Sequence, residues 1–186
     1  ILRPELPPED LSMVTPMAAV AVWKAVEQLT GIRLGIKWVN DILMNRMKIC
    51  GILTEASIDF ESGGLNYAVL GIGINLNTSD FPEELRDIAA SVGQMDADLR
   101  PLISAGFLNR FFAYYNNLSQ REFLNEYRDR SMLTGKDITF IRGNETFSGT
   151  VTGIDDEMRL VVRLEEGKEI AFSSGEVQLV KGDIIK

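Results

Sequence analysis

The polar residues best placed to do chemistry fall in three short runs, each at a strand end or beside a glycine. They are Lys37-Trp38-Val39-Asn40-Asp41, then Lys48-Ile49-Cys50-Gly51-Ile52-Leu53, then Gly71-Ile72-Gly73-Ile74-Asn75-Leu76. A lysine brings a compact positive charge to an anionic ligand, and a carboxylate such as Asp41 can orient an amine and take its proton. Asn40 and Asn75 each carry donors and an acceptor in one amide. Gly71 and Gly73 give up side-chain packing inside a strand, which often marks close approach of a ligand or a second backbone. Each run also has a plainer reading: Asn40-Asp41 as a simple turn, Lys48 as a strand-edge lysine with its ammonium in water, the glycines as a bulge.

Composition narrows the chemistry further. With no histidine and a single cysteine, the chain has no Ser-His-Asp or Cys-His system, no imidazole base, no internal disulfide and no multi-thiolate metal cluster. Leu76 stands where the third glycine of a dinucleotide fingerprint would fall, and no Walker phosphate loop is present. A net charge of -8 gives no electrostatic reason to approach a polyanion, so nucleic-acid binding by these residues is not expected. No apolar run approaches the roughly 20 residues that cross a bilayer and no signal peptide opens the chain, which points to the cytoplasm. Cys50 and Trp38 read as core residues, and the runs Asp155-Asp156-Glu157 and Glu165-Glu166 as solvated turns.

These runs need elements to hold them. From Asp10 to about Thr30 apolar residues recur at helical spacing, with Gly31 as the stop; Pro16 either follows a Thr15 N-cap or kinks the helix. A strand over Leu34 to Trp38 ends at the turn-prone pair Asn40-Asp41. Two more strands, Ile49 to Ser57 and Tyr67 to Leu76, flank the loop signal Glu61-Ser62-Gly63-Gly64. Helices are expected near Glu83 to Val92, from Pro101 to about Leu118, and from Ser119 to Met132, the middle one with Leu102, Phe107, Leu108, Phe111 and Phe112 on a broad apolar stripe. From Gly135 the texture changes to five short strands divided by Arg142-Gly143-Asn144, Gly153 to Asp156, Glu165-Glu166-Gly167 and Ser173-Ser174-Gly175, the pattern of a small barrel. The pattern gives an α+β class and a boundary near Leu133. The chain opens at Ile1 without a methionine, in what reads as the end of a strand running into the turn Arg3-Pro4-Glu5-Leu6-Pro7-Pro8, and is expected to be a piece of a longer polypeptide.

Together the three runs resemble the catalytic core of biotin protein ligases. The family's Lys-Trp-Pro-Asn-Asp appears as Lys37 to Asp41, its lysine before Gly-Ile-Leu as Lys48 before Gly51-Ile52-Leu53, and its Gly-x-Gly-Ile-Asn as Gly71 to Asn75. Two departures are visible: Val39 replaces the proline, and the Gly-Arg-Gly-Arg-x-Gly-Arg loop, which in the family lies just before the position of Ile1, is missing. The resemblance implies a mixed, mainly antiparallel sheet with covering helices over 1–133 and a small SH3-like β-barrel over 134–186. It implies an enzyme that makes biotinyl-5'-AMP from biotin and ATP, with Mg2+ on the nucleotide, and passes biotin to a lysine of a biotin carboxyl carrier protein. Lys48 and Asp41 are the implied catalytic pair. Lys48, Gly51, Leu53 and Gly73 are implied for biotin, and Lys37, Asn40 and Asn75 for the nucleotide. No metal site of the chain's own is implied, and a homodimer is a possible assembly. Lipoate attachment and a non-catalytic, ligand-sensing module are the alternatives. Without the glycine-arginine loop the chain as given is expected to be inactive alone.

Overall fold

Val14 to Thr30 combines small and branched apolar residues on nearly every side of a helix, so the helix is stable only when covered all round. That is α1 (Val14–Thr30), packed between a sheet on one side and two further helices on the other. The computed structural model describes residues 1–3, 7–59, 64–93, 98–174 and 178–179. A 3-10 turn, Pro8–Met13, leads into α1, and Pro16 sits in the first turn, where a missing N–H breaks no helical bond. Thr15 is therefore not the N-cap; Met13 holds that position, and the Thr15 hydroxyl meets Thr54 Oγ1 at 2.7 Å. Gly31 ends the helix as expected, at φ 70° with its N–H on the Glu27 carbonyl.

The first sheet holds β1 (Gly35–Lys37), β2 (Asp41–Met44), β3 (Met47–Ile58) and β4 (Leu65–Ile74), antiparallel in the order β1-β2-β3-β4. Strand β2 is absent from the sequence reading, which ended a strand at Asn40-Asp41. The chain instead turns through residues 38–40, where the Trp38–Val39 peptide is cis, and Asp41 opens β2. Asn45 and Arg46, both at positive φ, then return it as a tight hairpin. Leu2 bridges Ala68 on β4, in keeping with a strand end at the start of the chain; residues 4–6 of the following turn and 60–63 of the β3–β4 loop lie outside the described residues.

Of the helix expected near Glu83 to Val92 only Glu83–Leu85 is helical, as one 3-10 turn. The rest of the expected helix runs alongside β3: the Lys48 N–H donates to the Ile88 carbonyl, and the Ala90 N–H to the Lys48 carbonyl. Helix α2 (Arg100–Tyr115) lies on α1. Its apolar stripe is only partly used: Ile103 and Phe111 are buried, while Leu102, Leu108 and Phe112 are exposed. The next expected helix is shortened to α3 (Phe123–Asp129), because Arg121 adopts a left-handed conformation after a 3-10 turn at Leu118–Gln120.

The second sheet holds β5 (Asp137–Arg142), β6 (Glu145–Ile154), β7 (Leu160–Leu164), β8 (Glu169–Phe172) and β9 (Gln178–Leu179), antiparallel in the order β8-β7-β6-β5-β9. Phe140 packs between Phe147 and Phe172 at its centre. Among the described residues β8 and β9 do not pair, so the sheet is open there. Gly175, the last residue of the fourth expected divider, lies outside the described residues. The architecture is α+β, with the two isolated parallel bridges Ile36–Ser131 and Lys48–Ala89 as its only mixed feature among those residues.

Candidate functional site

The three polar runs meet in one cross-strand row. Lys37 pairs with Asp41, Asp41 with Gly51, and Gly51 with Gly73. Directly opposed residues point to the same side of a sheet, so register alone puts a lysine, a carboxylate and two bare glycine backbones side by side. A register shift between Ile42 and Leu43 brings Lys48 opposite Leu43, within reach of this row.

Over the row lies a cavity of about 630 Å³. Its polar lining includes Lys37, Asp41, Arg46, Lys48 and Asn75, and its apolar wall comes from Phe81, Leu85, Ile88 and Ala89. That wall is pinned to the sheet by the bonds between Lys48 and residues 88–90 and by the Val92 N–H on the Asn75 carbonyl. Three cations against one carboxylate make the lining positive in a chain of net charge -8, which selects for an anionic ligand.

Lys48 Nζ lies 2.7 Å from Asp41 Oδ1, with the side chains 45% and 19% exposed. An ion pair this wet is worth roughly 0 to 1 kcal/mol, so it orients the ammonium yet yields to a ligand. A Cβ on Gly51 would lie 2.9 Å from both Cε and Nζ of Lys48; glycine here is what lets the lysine lie across the strand. Nothing lies within 4 Å of where a Gly73 Cβ would stand, so the floor beside it is open.

Of the residues singled out in sequence, Lys37, Asp41, Lys48, Gly51, Gly73 and Asn75 are brought together. Two are not. Asn40 Nδ2 donates to the Ile52 carbonyl at 2.8 Å while its own backbone carbonyl accepts the Ile52 N–H, so it braces β3, and it is absent from the cavity lining. Leu53, one row beyond Gly51 and opposite Gly71, lies outside the cavity lining and is 60% exposed. Trp38 and Cys50 are core residues as expected, although Cys50 also touches the cavity wall; burial pushes its thiol up to about 12. Sequence reasoning missed Arg46 and the wall at 81–89. The positive-φ pair Asn45-Arg46 left a weak turn signal, and the wall's spacing reads as a helix although only Glu83–Leu85 forms a helical turn.

Residues 1–75 match the family described as Biotin/lipoate A/B protein ligase family, and residues 134–180 match the Biotin protein ligase C terminal domain. The chain is 34% identical over 184 residues to the bifunctional ligase/repressor BirA of Bacillus spizizenii, covering 94% of this chain and 55% of that protein. It is 29% identical over 182 residues to the biotin--[acetyl-CoA-carboxylase] ligase of Paracoccus denitrificans, covering 91% and 74%. The apo structure of biotin protein ligase from Aquifex aeolicus superposes with a TM-score of 0.79 at 25% identity, covering 94% of this chain and 79% of that one. The chain thus spans about half the length of the Bacillus relative.

Proposed function

Because the chain belongs to the biotin protein ligase family, we propose that it adenylates biotin with ATP and transfers the biotin to a lysine of a biotin carboxyl carrier protein. The observation that carries this reading is the row Lys37–Asp41–Gly51–Gly73 with Lys48 lying across it beneath a positively lined cavity. Residues 1–133 act as the ligase core and 134–186 as the appended domain, in the cytoplasm.

In the first step a biotin carboxylate oxygen attacks the α-phosphorus, the bond to the β-phosphate oxygen breaks, and pyrophosphate leaves. Two anions must approach, and a fixed ammonium beside both offsets their repulsion in the transition state. Lys48 is that ammonium, and Asp41 is its resting partner. Lys37 and Asn75 face the nucleotide, while Gly51 and Gly73 leave room for biotin. Magnesium fits as an ion carried by the ATP phosphates: Asp41 is the one acidic side chain among the lining residues, and no cluster of three acidic or thiol ligands exists among the described residues.

In the second step the carrier lysine attacks the acyl carbon, AMP leaves with the electron pair of the broken anhydride bond, and the amine loses a proton. Asp41 suits that amine because it already holds an alkylammonium at hydrogen-bond distance. The carrier protein is thus the partner, and a second copy of the chain a further one; the net charge of -8 argues against nucleic acid at these residues. The test is to incubate the intact protein with labelled biotin, ATP, magnesium and apo carrier, with lipoate in a parallel arm. Biotin on the carrier lysine is expected. Attachment of lipoate but not biotin, or binding of biotin with no pyrophosphate release, overturns the reading.

A further inference from the structure

The three residues ahead of Asp41 are each hydrogen-bonded to a different part of the molecule. Trp38 Nε1 donates to the Met158 carbonyl at 2.8 Å, in the turn between β6 and β7. The Tyr127 hydroxyl, on α3, donates to the Val39 carbonyl at 3.0 Å. Asn40 Nδ2 donates to the Ile52 carbonyl on β3 at 2.8 Å.

Of the three donors Tyr127 is the informative one. Its side chain is fully buried, 0% exposed, so its hydroxyl was taken out of water on folding. Burying a hydroxyl costs free energy that only a good partner offsets, and a phenylalanine would fill the same volume without that cost. Burial, and then the nearby Asp41 charge, hold the phenol well above its usual range, so it remains a neutral donor. The partner it finds is the carbonyl two residues before the one carboxylate of the site. The same helix is clamped to the second sheet by the next residue: Arg128 Nε donates to the Ile154 carbonyl at 2.8 Å, and its Nη2 pairs with Asp156 at 2.6 Å. Arg121 adds a bond to the Asp156 carbonyl. Helix α3 is therefore anchored at its far side while its tyrosine reaches the turn that delivers Asp41.

We propose that Tyr127 is a positioning residue that fixes the Trp38–Asn40 turn and so aims the Asp41 carboxylate at the incoming amine. In its kinetic form this rests on the ligase reading given above. The hydroxyl touches no substrate; it acts through Val39. Its loss leaves the ring in the core and the carbonyl without its donor, letting the turn and Asp41 drift.

The experiment is Tyr127→Phe in the intact protein, with and without Asp41→Asn. Single-turnover transfer from preformed biotinyl-adenylate should slow by about ten- to a hundredfold, the scale of a misplaced catalytic group. Adenylate formation should change less than about threefold. In the Asp41→Asn background the tyrosine substitution should add nothing to the transfer loss. Losses that multiply, or equal losses in both steps, overturn the proposal. A second measurement does not need ligation at all: the 13C resonance of the Asp41 carboxylate should shift or broaden in Tyr127→Phe. An unchanged resonance sinks the positioning role whatever the protein's activity, whereas failure of the unmodified protein to biotinylate the carrier counts only against the ligase reading.

Discussion

Asp41 Oδ1 and Lys48 Nζ lie 2.7 Å apart across the β2–β3 hairpin, so the anion proposed for the second step is the resting partner of the cation proposed for the first. The pair is partly exposed and weak, so in the proposed reaction each half can pass to its substrate group. Separate roles for the two residues give separable kinetic effects.

Lys48→Ala is expected to lower adenylation by about 100- to 1000-fold, the cost of roughly 3 to 4 kcal/mol for removing one preorganised electrostatic group. Pyrophosphate exchange measures it. A loss smaller than about threefold would return Lys48 to a solvated strand-edge lysine.

Asp41→Asn keeps the shape of the side chain but removes its charge and its proton-accepting ability. Transfer from preformed biotinyl-adenylate is expected to slow more than adenylate formation does, since a negative charge has no helpful role where two anions meet. Equal slowing of both steps would mean that Asp41 chiefly holds the hairpin together.

Gly51→Ala tests the close approach over β3. The new methyl would lie 2.9 Å from the flexible end of Lys48 and at ordinary contact, 3.9 Å, from Asp41 Oδ1, so the protein should fold with an unchanged thermal midpoint while the ammonium is pushed aside. Adenylation is expected to fall by about tenfold or more. Full activity with normal folding would show that the lysine reaches its place by another route.

Cys50 is expected to resist alkylation by iodoacetamide at pH 8, where a thiol pushed up to about 12 is ionised in roughly one molecule in 10,000. The same shift acts on stability. Below pH 9 the thiol is protonated in both states; between the ordinary 9.0 and about 12 the unfolded chain releases a proton that the folded chain keeps, so stability falls as pH rises through that window. Melting curves from pH 9 to 11 should therefore fall more steeply for the unsubstituted protein than for Cys50→Ala. Parallel slopes would mean that the thiol is not held in its neutral form by folding.

The sequence alone determined what depends on local pattern. Helix α1 with its Gly31 stop, β1, β3 and β4, the change to short strands after Gly135, and the absence of histidine or thiolate chemistry follow from periodicity, turn residues and composition. The three runs could be picked out because together, in that order, they match the motifs of one ligase family, although each alone reads as an ordinary turn, strand edge or bulge. Which of their residues would meet was decided by register. Asp41 reaches Gly51 only because β2 exists, and β2 is four residues long between two turns, too short for its own alternation to be legible. Asn40 is absent from the cavity lining and bonds the Ile52 carbonyl instead, a contact between residues 12 apart that no spacing rule contains. Of the helix expected near Glu83 to Val92 only a 3-10 turn at Glu83–Leu85 forms, because residues 88–90 pair with Lys48, whose N–H and carbonyl take the place of helical partners. Tyr127 looks like any core aromatic until α3 brings its hydroxyl to Val39, 88 residues away. Local preferences set the elements; long-range hydrogen bonds and strand register, which form only when the chain closes on itself, set the site.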